Sequence, residues 1–172
     1  RDGIDLALRF GNGRWPGLEA HLLLPNRFTA LCSPRLIEGV RIDSHADILK
    51  LPLLGPRDPW WPMWFEAAGI GPVDLSDRTD LALGSQQYKA MAAMGGQGVA
   101  LLNPAFFAED VAAGRLVQLF ELVVDLPDSN CWLVYPKTRR RAAKIRAFRD
   151  WALAEARGDG ARPAPGRPLR GP

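Results

Sequence analysis

Few residues in this chain have the chemistry to attack, transfer a proton or hold a metal. His21 and His45 are the two histidines, and Cys32 and Cys131 the two cysteines. Neither histidine has a cysteine or second histidine at metal-ligand spacing, so both read as structural or solvated groups. There is no Gly-x-Ser-x-Gly elbow and no phosphate-cradling P-loop. Gly11-Asn12-Gly13 follows a strand pattern but no helix follows it, so the dinucleotide fingerprint fails. Cys32 precedes a Ser-Pro helix start, where a thiolate would be stabilised, but no general base lies nearby in sequence. It reads as a small buried residue. The inventory is that of a binding domain rather than an enzyme, with no cofactor and no metal.

The residues that could bind are better placed. Arg9, Phe10 and Gly11 end an alternating run and enter a glycine-rich loop, whose free N–H groups and guanidinium would suit an anion. The same run is equally compatible with an ordinary strand and turn whose Arg9 sits in solvent. Ser85, Gln86 and Gln87 open a helix, where unpaired N–H groups and the positive dipole end favour a carboxylate. Ser85 as a plain N-cap is compatible with that role. Asn103 and Pro104 lie between a strand and the next helix, a rim position. Lys137, Arg139, Arg140, Arg141 and Lys144 form a basic run that reads as a solvated loop and helix start, with a phosphate site the alternative.

The elements that must position these groups follow from periodicity. Ile4, Leu6 and Leu8 alternate with Asp5, Ala7 and Arg9, which predicts a strand over Ile4–Arg9. Further strands are expected at 19–24, 28–32, 51–54, 73–76, 99–102, 123–125 and 131–135. Helices are expected from Ser33-Pro34, over 44–49, 61–68, 85–94, 104–112 and 142–156. In the last, Ala142, Ile145, Phe148, Ala152 and Ala156 form one apolar stripe. Trp60, Trp61, Trp64 and Phe65 crowd one segment; the helical spacing of Trp64 and Phe65 favours core packing over stacking a flat ligand. Strands alternating with helices give an α/β sheet.

The 172 residues, 47% of them hydrophobic, suffice for one ordinary domain. The net charge of +3 resides in the last sixteen residues, where Arg157, Arg162, Arg167 and Arg170 face Asp159 alone. The remainder is neutral, which argues against a DNA-binding face on the body. Two cysteines make no disulfide framework and read as reduced thiols in a cytoplasmic protein. No apolar run reaches transmembrane length, so no membrane partner is expected.

Several stretches together resemble a known family. Gly3 to Leu18 follows the pattern G-[IV]-D-x-A-[IV]-R-[FY]-G-x-G-x-W-P-G-L with little departure. Ala92-Ala93-Met94-Gly95-Gly96-Gln97-Gly98-Val99, Ala112-Ala113-Gly114-Arg115-Leu116-Val117 and Trp132-Leu133-Val134-Tyr135-Pro136 follow in order, and then Phe148-Arg149-Asp150-Trp151. The chain resembles the effector-binding domain of bacterial LysR-type transcriptional regulators, in the branch similar to the glycine-cleavage activator. That resemblance implies an α/β, two-subdomain fold like the type II periplasmic binding proteins. Subdomain I would hold 1–26 plus 127–157, subdomain II 27–126, and 158–172 would be a disordered tail.

The resemblance also implies a function: a small-molecule effector, in keeping with the anion-seeking groups a carboxylate, held in an interdomain cleft by Arg9, Phe10, Gly11, Ser85, Gln86, Gln87, Asn103 and Pro104. The family's N-terminal winged helix-turn-helix is absent from this chain. Promoter DNA would therefore be reached only through that missing domain, in a homo-oligomer of the full-length protein. The first strand–helix–strand of subdomain I is also absent, which leaves that subdomain incomplete and the Ile4–Arg9 strand with an open edge. With no initial Met, the chain reads as a fragment or a gene that lost its beginning. A stand-alone solute-binding protein of the same fold is the alternative, and it would need an export signal; a non-functional gene remnant and a small hydrolase are the others weighed.

Overall fold

The computed structural model describes residues 4–81 and 83–160. Gly3 of the first motif, and 161–172 of the expected tail, lie outside the described residues. The described chain forms two compact units, one of 4–26 and 125–160, the other of 27–124.

The first unit is a three-stranded antiparallel sheet backed by a helix. Its strands are β1 (Ala7–Gly11), β2 (Leu18–Leu24) and β7 (Asn130–Pro136), in the order β1-β7-β2. The middle strand is the apolar one: Cys131, Leu133, Val134 and Tyr135 are all buried. Register pairs Leu8 with Leu133, Arg9 with Trp132 and Phe10 with Cys131. The ladder starts at Ala7 and runs to Gly11, later than the Ile4–Arg9 strand expected from alternation. Residues 4–6 stay out of it, and the Asp5 carboxylate there is bound by Arg139 and Lys144. Those two charges hold Asp5 below the usual carboxylate range, Lys144 most strongly. They also account for part of the basic run. The outer edge of β1 pairs with no strand among the described residues.

The helix α4 (Ala143–Gly160) packs on β2, with Ile145 fully buried. It continues past Arg157, where a disordered tail was expected to begin. Of the expected stripe, Ile145 is buried and Ala142, Ala152 and Ala156 are half-buried, while Phe148 is exposed and lies at a tilt to Trp151, with ring centroids 5.3 Å apart.

The second unit is built around β3 (Arg27–Cys32), which pairs with β4 (Ala100–Leu102) and β5 (Val117–Gln118); β6 (Val124–Asp125) also pairs with β3. β3 is buried from Phe28 to Cys32, as a central strand covered on both faces must be. Two helices cover the sheet: α1 (Trp60–Ala67) and α2 (Gln86–Met94). α2 presents Ala90 and Ala93 to a cluster that includes Leu31, Ala100 and Leu102; alanine at both positions lets the helix lie close to the strands. On α1, Trp61, Trp64 and Phe65 are buried, so the aromatic cluster is core, as their spacing favoured. Trp61 Nε1 donates to the Leu54 carbonyl at 3.2 Å. Each such ring removes enough apolar surface to contribute about 1.5–3 kcal/mol.

Local hydrogen bonding displaces several expected elements. The 44–49 helix is a 3-10 turn over His45–Lys50, held by the Asp47 carboxylate, which accepts from the N–H groups of Asp43 and Ser44 and the Ser44 hydroxyl. The 51–54 strand survives as one parallel bridge, Leu53 to Val99. Gly98 is obligatory beside it, since a Cβ there would stand 2.8 Å from the Pro52 carbonyl oxygen. Residues 73–76 form no strand, because Asp74 accepts from the Ser76 N–H in a local turn. The helix expected over 104–112 is only α3 (Ala108–Ala112), since Asn103 Oδ1 takes the Ala105 N–H at 3.1 Å and holds the preceding residues in turns. β5 was not expected from the sequence, being only two residues long.

Candidate functional site

In the first unit, Arg9, Phe10 and Gly11 lie on β1, at its end. Arg9 and Phe10 are exposed. The Arg9 Cζ stands 4.8 Å from the centre of the Trp15 ring. Its guanidinium makes no hydrogen bond or ion pair among the described residues, unlike those of Arg78, Arg115, Arg139 and Arg149. The loop beside it is tightly fitted. Trp132 Nε1 donates to the Gly11 carbonyl at 2.8 Å, and Gly13, at φ +80°, has no room for a Cβ against the Trp132 ring.

In the second unit, Ser85 is the N-cap of α2, its hydroxyl accepting from the Tyr88 N–H at 3.4 Å. Gln86 Oε1 accepts from the Asn103 N–H at 2.8 Å, so these two predicted site residues do meet. The bond fixes the start of α2 to the end of β4. It also commits the Gln86 amide oxygen to the fold. Asn103 is fully buried, not on a rim; its side chain holds the turn that carries Pro104. Gln87 is exposed and has no hydrogen-bond partner among the described residues. Of the predicted residues in this unit, Gln87 is exposed, whereas Ser85 and Gln86 are half-buried and each has its side-chain oxygen in a hydrogen bond to a backbone N–H.

Other titratable groups are occupied structurally. His21 bonds the Tyr135 hydroxyl at 2.8 Å, and that hydroxyl also bonds Arg149, which raises the Arg149 pKa. Arg149 is not part of the apolar stripe of α4, but its long side chain reaches the buried tyrosine, which periodicity does not register. His45 lies 4.7 Å from Phe120 and 5.8 Å from Trp64 between ring centroids. Burial pushes the Cys32 thiol up to about 12, which makes it an inert core group, and both cysteines are free. No group of three or more metal-ligating residues occurs among the described residues. A feature the sequence did not signal is a hollow of about 260 Å³ walled by Pro56, Pro59, Pro62, Phe65, Val73 and Leu75. Its neighbour Asp58 is turned to Lys89 and to the Trp60 N–H.

The description "LysR substrate binding domain" matches residues 1–157. The chain belongs to the LysR substrate-binding domain family. It is 35% identical over 165 residues to the HTH-type transcriptional activator AmpR of Pseudomonas aeruginosa, covering 91% of this chain and 53% of that protein. It is 31% identical over 159 residues to the glycine cleavage system transcriptional activator of Escherichia coli K12, covering 90% and 50%. The LysR domain thus spans about half the length of the curated relatives it matches. The solved effector domain of Pseudomonas aeruginosa AmpR superimposes with a TM-score of 0.74 at 33% identity, covering 94% of this chain and 78% of that one. The fold is therefore that of a LysR effector domain, the α/β architecture that the motifs implied. Its relatives are transcriptional regulators.

Proposed function

We propose that this chain is the sensing part of a LysR-type regulator and that its effector is a small carboxylate. The observation that carries the reading is Arg9: an exposed guanidinium over the Trp15 ring, with no hydrogen-bond or ion-pair partner among the described residues. Ser85 and Gln87, at the start of α2, are the second group that favours an anion. Phe10, exposed beside Arg9, gives the effector an apolar contact. The ligand is sensed and not transformed, in keeping with relatives that are activators and with histidines and thiols already engaged in the fold. In a longer polypeptide, ligand binding would bias a homo-oligomer between states that engage promoter DNA differently, in the cytoplasm, through a DNA-binding part outside these residues.

Calorimetric titration of a panel of small carboxylates tests this, with wild type compared with Arg9→Ala and Ser85→Ala. Loss of a charge-assisted hydrogen bond costs about 1.5–3 kcal/mol. The expected result is at least a ten-fold weaker affinity for Arg9→Ala. A carboxylate that binds wild type and both variants equally would overturn the proposed site.

A further inference from the structure

We propose that Trp15 and Trp132 are positioning residues that hold the Arg9 guanidinium in advance as a carboxylate fork. This rests on Arg9 being the anion reader proposed above. Trp15 lies under the guanidinium at 4.8 Å. Trp132 is the partner of Arg9 across the β1–β7 ladder and so shares its face of the sheet. It clamps the loop that carries Trp15, through its Nε1 bond to the Gly11 carbonyl. The loop fits both rings without slack. A Cβ on Gly11 would stand 2.8 Å from Trp15, and one on Gly13 would stand 2.5 Å from Trp132.

A guanidinium lying on an indole keeps its N–H donors in the plane, directed away from the ring. A free arginine must surrender its rotamer freedom when it binds an anion. Here the Trp15 contact takes part of that freedom in advance, so a planar carboxylate meets a fork closer to alignment. The other well-ordered arginines show the contrast. Arg78 donates to the Leu49 and Leu51 carbonyls and Arg115 to Asp110, so their order serves the fold. Among the described residues, the Arg9 guanidinium has the Trp15 ring as its neighbour and no hydrogen-bond partner.

The test is nuclear magnetic resonance of the arginine Nε–H groups, with sodium acetate as probe and sodium chloride at equal ionic strength as control. Arg9 in wild type should show an upfield ring-current shift and a saturable response to acetate alone. Trp15→Leu should abolish the ring-current shift and weaken acetate about two- to five-fold, the range of an exposed cation–π contact. Trp15→Phe should restore most of both, and Trp132→Phe should fall between. The Arg149 signal, from a guanidinium bonded to Asp150 in the same unit, reports that the first unit of each variant is folded. An unchanged acetate response in Trp15→Leu would overturn the positioning role. A normal ring-current shift with no acetate-specific response in wild type would instead overturn Arg9 as the anion reader, and this inference with it.

Discussion

Gly13 and Gly17 make a controlled pair for the packing of the β1 loop. Both lie in the first unit, both take left-handed φ values, +80° and +78°, and they differ in space. A Cβ on Gly17 would meet nothing within 4 Å, whereas one on Gly13 would stand 2.5 and 2.6 Å from two carbons of the Trp132 ring. Gly17→Ala should therefore cost only the left-handed conformation, about 1 kcal/mol. Gly13→Ala carries the same cost and must also displace a rigid ring. Forced overpacking adds about 1–3 kcal/mol. Moving the ring breaks the Nε1 bond to Gly11, which adds roughly 0.5–1.5 kcal/mol. The difference between the variants should be about 2–4 kcal/mol. Urea unfolding followed by tryptophan fluorescence would show it as a midpoint separated by about 1–2 M, for a slope near 2 kcal/mol/M. Equal costs within about 0.5 kcal/mol would refute the argument that Trp132 closes the loop.

Three further outcomes are expected. Hydrogen bonds from Lys50, Ser44 and Asp43 hold Asp47 well below the usual carboxylate range. Its contribution is thus fully present above the unfolded pKa near 3.9 and is lost as pH falls below it; Asp47→Asn should flatten the acid limb of a stability–pH curve there, and an unchanged limb would contradict the assignment. Cys32, with its pKa pushed up to about 12, should resist iodoacetamide at pH 8 in the folded protein and react after urea unfolding, as read by mass spectrometry. The Lys89–Asp58 pair is mostly buried, and Lys89→Met with Asp58→Asn in a double-mutant cycle should give a coupling above about 1 kcal/mol.

The parts of the fold legible in the sequence were those fixed by apolar pattern and cap chemistry. Cys131 to Tyr135 read as a strand and proved the buried centre of a sheet. Ser85 marked the start of α2 correctly, and the spacing of Trp64 and Phe65 placed them in the core. The failures came where a polar side chain captured the backbone locally, as Asp74 and Asn103 do, or where distant charges held a residue, as Arg139 and Lys144 hold Asp5. At the candidate site the loop glycines were visible as turn residues. That they must be glycine because Trp15 and Trp132 fill the space was not, since Trp132 is 119 positions from Gly13. The commitment of Gln86 to Asn103 was hidden for the same reason.

The chain leaves its first unit after Asn26 and returns to it at Asp125. Every strand pair of the first unit includes β7, so β1 and β2 have no sheet partner until residues 130–136 exist. Among the described residues, the second unit lies wholly between 27 and 124. On a ribosome, β3, α1, α2 and β4 can assemble as soon as they emerge, while the backbone N–H and C=O groups of β1 and β2 wait for β7. Joining strands more than a hundred residues apart carries a large loop-closure cost unless the loop is already compact. A folded second unit supplies that compaction by bringing its own two ends within reach. The unit whose strands β1 and β2 are made before the second unit is therefore the one completed last.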